Sequence, residues 1–441
     1  MQNRHHHSDL WSRVEQQAVA TPAIFGRFDF SATPERFTTE PSGERLAEFK
    51  DMIPELMADE ALVEMMAGYT YMGDPVADAY AARIPDFGFR KLIDMLQTAC
   101  DKGVSAVPEA PPELAEFIAA MEDRPDWVDM DLVREGARVE RNQYVHLTPF
   151  AIRGAFLATF MNRYSALPMA LTGALSDKLA ARRVHETASF FTLTVIPGAL
   201  ERNGAAFKAA AMVRLMHSMV RFNVMQRDGI WDEKTFGIPI PQVDQMPAGQ
   251  IGSFLLAFQA IREGREEFTP QEQARIEIAR YRCFLLGLPE ELLGETPREI
   301  TRLMLARQAT LRNAFDDETC GALVRGTMHT QLSHDQSLGG KIDRLLERGF
   351  SKAFFIRQFL QGDKKRAKEM GVHYTLGDRL LALAAIIRIY VPLKLYKLLE
   401  NIPVMREAAD RRLVGKLNRL LERYGHAEFV TDGSNYRGSR G

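Results

Sequence analysis

Apolar residues recur three and four positions apart along most of the 441-residue chain, the spacing that lays one stripe along an α-helix. Strand-like alternation and Asn-Gly hairpin signals are nearly absent. The pattern predicts helices near 45–67, 87–102 and 112–121, the last opened by Pro112 in its first turn. Asp131 is expected to cap a helix starting at Leu132. A mostly apolar helical region covers 147–175, and further helices are expected at 176–195, 207–226, 251–264, 270–287 and 296–315. Residues 1–44 and 229–250 break the periodicity and read as irregular. The expected fold is all-α. A large helical domain over 45–335 is followed by a helical C-terminal extension over 336–430 and a disordered tail over 431–441.

Composition narrows this picture. The chain is 46% hydrophobic and 26% charged, as a globular protein should be. Its formal net charge of −2 gives no global field for nucleic acid. Cys100, Cys283 and Cys320 are scattered, odd in number and lack zinc or CxxC spacing, which points to a reducing compartment. The first residues lack an apolar signal core, so a cytoplasmic location is expected. Between Lys341 and Arg423 Lys and Arg outnumber Asp and Glu by about two to one. The longest apolar stretch, Leu380 to Leu399, is interrupted by Arg388, Pro392, Lys394 and Lys397, so it reads as a buried or interfacial helix rather than a spanning one. The extension is read as packed helices or as a peripheral contact with anionic lipid.

Candidate chemistry centres on residues 207–226. This apolar, Gly- and Pro-free helix carries Arg214, His217 and Arg221 at i, i+3 and i+7, within an arc of roughly 60°. An imidazole between two guanidiniums on such a helix needs partners when buried. A haem supplies them, iron for the imidazole and propionates for the arginines. A hydrogen-bonded core histidine flanked by arginines that pair with carboxylates elsewhere is the other reading. Arg183 and Thr187 share a helix face at i, i+4 with Glu186 beside them, a pattern that alone also fits a solvated face with an ion pair.

In order, the chain reads Leu171-Thr172-Gly173, Arg182-Arg183-Val184-His185-Glu186-Thr187 and then the helix bearing Arg214, His217 and Arg221. Gly237-Ile238-Pro239-Ile240-Pro241-Gln242 and Leu286-Gly287-Leu288-Pro289 follow. Over roughly residues 100–320 this series resembles the MpaB-like oxygenase and rubber-oxygenase (latex-clearing protein) family. The resemblance implies an all-helical haem b enzyme that uses O2 to cleave or oxidise a C=C bond of a lipophilic, isoprenoid-like substrate. It implies His217 as the iron ligand, Arg183 and Thr187 as a pair needed for haem binding or activity, and Arg214 and Arg221 as propionate partners. His185 is the rival ligand, and Lys91 and Lys102 are candidates for the distal lysine of some members. The chain departs from rubber-cleaving members in two ways. Residues 163–175 contain no Asp or Glu, Asp177 being the first acid after them, and Glu186 stands where those members carry Lys. Two alternatives stay open: a haem protein with peroxidase-like or dehydrogenating chemistry, and a haem-free helical protein that binds lipid or a partner.

Overall fold

The computed structural model describes residues 6–42, 49–172, 177–227 and 229–425, with the side chains of 177–179 left aside. Regular structure among them is helical, as expected. The β structure among them is one isolated antiparallel bridge, Phe37 to Leu311.

Local chemistry sets several boundaries that periodicity alone misplaces. Residues 49–70 are split because Asp59 leaves the helical conformation and its carboxylate accepts from the Leu62 amide, ending Ile53–Ala58 and starting Glu60–Thr70. Asp129, not Asp131, caps Met130–His146, accepting from the amides of Asp131 and Leu132. The apolar region after 147 is two helices, Thr148–Ala158 and Arg163–Leu171, the second capped by Asn162. The N-terminal region is not irregular throughout. Ser8–Ala20 is a helix that buries Leu10, Trp11 and Val14, and its Gln17 side chain bonds the backbone at Tyr71 and Gly73. Gln242–Arg262 also starts nine residues earlier than its apolar stripe suggests, directly after Pro241.

The chain forms two compact units that do not follow the linear segments expected. The first comprises 1–136 and 198–313, and the second 137–197 and 314–428; the last residues, from 426, lie outside the described set. In the first unit, helix Ala205–Met225 packs on Pro75–Ala81 and Phe89–Lys102, while Gln242–Arg262 packs on Pro270–Leu285 and Pro297–Thr310. Thr269/Glu272 and Thr296/Glu299 close the last two helices with reciprocal capping boxes.

In the second unit, Leu338–Phe359 lies between Thr148–Ala158 and Leu376–Glu400 around Phe150, Leu346, Phe350, Ala385 and Ile389. Gly349 permits this approach, since a Cβ there would sit 2.7 Å from that of Leu381. Helix Asp177–Leu193 packs on Ala322–His329 and on Pro403–Tyr424. Among the described residues no helix is long and apolar enough to cross a membrane.

Candidate functional site

Helix Ala205–Met225 is the most buried long helix of the first unit. Gly204 precedes it, alanines fill its first turns, and Ala206, Ala210, Leu215, Ser218 and Arg221 are fully enclosed. Arg214 and Arg221 are therefore core residues. Their anions belong to the chain itself. Arg214 donates Nε and Nη2 to the two carboxylate oxygens of Asp74, at 2.7 and 2.8 Å, and its guanidinium lies 5.0 Å over the Phe117 ring. Arg221 donates Nε to Asp78 at 2.8 and 3.0 Å, Nη2 to Ser218 Oγ at 3.0 Å and Nη1 to the Ile240 carbonyl at 2.8 Å. Both arginines, expected as propionate partners, are thus paired with aspartates here, the other reading open at the sequence level.

The aspartates are placed by a short helix. Asp74 caps Pro75–Ala81 through the Ala77 amide, and its own amide donates to Asp78 at 2.9 Å. Burial alone would raise Asp74, but the Arg214 guanidinium, aided by Arg221, holds its carboxyl below the usual range. For Asp78 burial dominates, with Asp74 adding to it, and the carboxyl is raised despite Arg221.

Two segments singled out by sequence close around these pairs. Gly287 adopts φ +83°, and a Cβ there would meet both Arg214 Nε and Asp74 Oδ2 at 2.7 Å. Ile240 holds φ +52°, costly for a β-branched residue before proline, and this turn carries the carbonyl that accepts from Arg221. Gln242 then opens its helix. Its Nε2 donates to the carbonyls of Gly73 and Gly287, at 2.9 and 3.1 Å.

That anchoring orients His217. Both partners of the Gln242 Nε2 are carbonyls, so its Oε1 faces Gln245 and accepts from the Gln245 Nε2 at 3.0 Å. The Gln245 Oε1 consequently faces the half-buried imidazole, whose Nδ1 donates to it at 3.3 Å. With the Gln245 Oε1 as acceptor, the His217 ring donates from Nδ1 and is held in one orientation.

The second unit holds the other candidates. On helix Asp177–Leu193, buried Glu186 accepts from Arg182 Nε at 2.9 Å and from Arg183 Nη1 at 3.3 Å. Arg183 and Thr187 are half-buried on one face of that helix. The Asp177 side chain and Gly173 lie outside the described residues. His185 Nε2 bonds the Leu332 carbonyl at 2.9 Å, its ring lies against Tyr424, and burial lowers its pKa. Its Nε2 therefore carries a proton, which weakens its case as a rival ligand. His146 is buried: Nδ1 donates to Asn142 Oδ1 at 2.9 Å, while Nε2 accepts from Lys416 at 3.1 Å. Burial first, then the Lys416 charge, lowers its pKa to about 4. His329 and His334 are exposed. Lys91 of the first unit is exposed and pairs with Glu109. Lys102 is exposed as well. Among the described residues no group of three or more His, Cys, Asp or Glu could hold a metal ion.

Comparison with known proteins supplies the family. The model for "ER-bound oxygenase mpaB/B'/Rubber oxygenase, catalytic domain" matches residues 142–389, a span containing both the Arg183 and the His217 helices. Among solved structures, the latex clearing protein LCP in its closed state is similar in fold, with a TM-score of 0.55 and 19% identity, over 78% of this chain and 91% of that one. No curated protein gives a significant match.

Proposed function

The chain belongs to the ER-bound oxygenase mpaB/B'/rubber oxygenase family, and from that premise we propose that it is a haem b-dependent oxygenase that cleaves or oxidises a C=C bond of a lipophilic, isoprenoid-like substrate with O2. The observation that carries the cofactor reading is the anchored ring of His217 on a helix inside the span matched by the family. Two backbone carbonyls orient Gln242, Gln242 orients Gln245, and Gln245 accepts the Nδ1 proton of His217, which leaves Nε2 as the nitrogen that would meet iron.

The His217 imidazole fits a haem iron as a nitrogen donor. Haem b, when bound, supplies the dioxygen chemistry, and a neutral imidazole ligand suits it to that role. His217 would hold the iron. Gln245 would keep the ring orientation and raise the donor strength of Nε2 by accepting from Nδ1. Asp74 and Asp78 neutralise Arg214 and Arg221, so these residues set the position of the His217 helix rather than the charge of the cofactor's edge. Arg183 and Thr187 resemble the family pair in sequence, and Glu186 fixes the Arg183 side chain.

The test is the absorption spectrum of the purified protein, oxidised, reduced and with carbon monoxide, joined to a pyridine haemochrome assay. A b-type haemochrome near one per chain, lost in His217→Ala while helix content is kept, supports the assignment. A wild-type protein that stays colourless after haem-supplemented expression would overturn it, as would undiminished haem in His217→Ala. Product analysis under labelled dioxygen then separates oxygenation from peroxidase-like or dehydrogenating chemistry.

A further inference from the structure

Helix Leu376–Glu400 is amphipathic in the wrong sense for a surface helix. Its narrow buried edge is Ala382, Ala385, Ile389 and Tyr396, while the solvent face is apolar. Leu376, Leu380, Leu383, Ile387 and Tyr390 recur at i, i+4, i+7, i+11 and i+14 and are all exposed; Leu380, Ile387, Val391 and Leu398 are each at least 60% exposed. The packed neighbour Leu338–Phe359 adds exposed Leu338, Ile342 and Leu345 on the turns flanking Asp343, which pairs with Arg388. So extended an apolar surface marks an interaction site.

The charges on this helix say what covers it. Between Asp378, which pairs with Lys352, and Glu400 at its end, every charged residue of the helix is a cation, namely Arg379, Arg388, Lys394 and Lys397. All four are exposed. A second copy of the same face would bring these cations together across the seam, whereas a coiled-coil pairing uses charges of both signs. An apolar face edged by cations matches the boundary between acyl chains and anionic headgroups. The helix is not apolar enough to span a bilayer, so contact would be in the plane of the surface. We propose that the exposed face of Leu376–Glu400 seats the protein on an anionic lipid bilayer. The proposal does not depend on haem loading.

The test is flotation of the full chain with phosphatidylcholine vesicles, with and without phosphatidylserine. Binding is expected to the anionic vesicles, falling steeply with salt as the screening length shortens from about 8 Å to about 3 Å at molar ionic strength. Lys394→Gln with Lys397→Gln should weaken binding on the order of 25-fold, at ~1 kcal/mol for each cation. Leu380→Gln, Ile387→Gln and Val391→Gln together should weaken it at least ~10-fold. Both variants change solvent-facing side chains, so thermal unfolding and helix content should match wild type. Failure of the wild type to bind anionic vesicles would overturn the proposal, as would equal binding by the apolar variant. A concentration-dependent dimer dispersed by the same apolar substitutions would assign the face to a second copy instead, and so overturn it too.

Discussion

Asp78→Ala tests whether the paired aspartates hold the His217 helix in place. In the native protein Asp78 and Arg221 are both fully enclosed, and the carboxylate takes the Arg221 Nε and the Asp74 amide. Truncation leaves Arg221 hydrogen-bonded to two neutral acceptors, Ser218 Oγ and the Ile240 carbonyl, with the nearby Asp74 carboxylate already bound by Arg214. An uncompensated buried charge costs ~3–5 kcal/mol. At roughly 2–4 °C per kcal/mol for a domain of this size, the melting temperature should fall by roughly 6–20 °C. Asp78→Asn keeps one acceptor and should lose less. The double variant Asp78→Leu with Arg221→Met removes both charges and should recover most of the loss, because a buried pair replaced by apolar side chains is often neutral. Urea and thermal unfolding of the four proteins measure these differences, and haem content reports whether the helix has shifted. A cost below ~1 kcal/mol for Asp78→Ala would refute the reasoning. A double variant no more stable than the single would also refute it, since the loss would then lie in packing rather than in stranded charge.

Three further outcomes follow from the same geometry. Gly287→Ala forces a side chain at φ +83° into the Arg214–Asp74 pair and should cost at least ~2 kcal/mol, whereas Gly198→Ala, strained at φ +73° but facing open space, should cost less in the same denaturation assay. Gln245→Leu removes the acceptor of the His217 Nδ1 proton and should weaken haem affinity ~10–100-fold, with a redistribution of the His217 tautomers visible in nitrogen-15 spectra of the haem-free protein. His146 is held neutral, its pKa lowered from 6.5 to about 4, so its contribution to stability is full above pH 6.5 and is lost as pH falls through about 4. His146→Gln should flatten that part of the stability–pH curve, and an unchanged slope would remove His146 as its cause.

The helical class and the helices with strong stripes were legible because burial of one face imposes its period on the sequence. The Arg214–His217–Arg221 stripe was legible for the same reason, as three polar residues on an apolar helix demand partners. The identity of those partners was not. Asp74 and Asp78 lie 140 and 143 positions from the arginines they meet, and no local pattern encodes so long a separation. Gln245 and the orienting part of Gln242 escaped notice because 229–250 read as a loop; the helix begins on polar residues, with Pro247 inside it, before its apolar stripe emerges. The Gly-Ile-Pro-Ile-Pro-Gln and Leu-Gly-Leu-Pro segments were visible as motifs, but their physical work became clear only in the fold: one presents the Ile240 carbonyl to Arg221 and the other makes room for Arg214.

The interleaving of the two units bears on how the chain is made. The first unit is completed only by residues up to 313, after the ribosome has already delivered 137–197 of the other. At ~5–20 residues per second, Asp74 and Asp78 wait ~7–30 s for Arg214 and Arg221 to be synthesised. Through that interval their carboxylates are hydrated anions on a nascent segment. The N-terminal part thus stays unfinished until the His217 helix brings the partners of these two groups, and the helices that follow it, through residue 313, complete the unit.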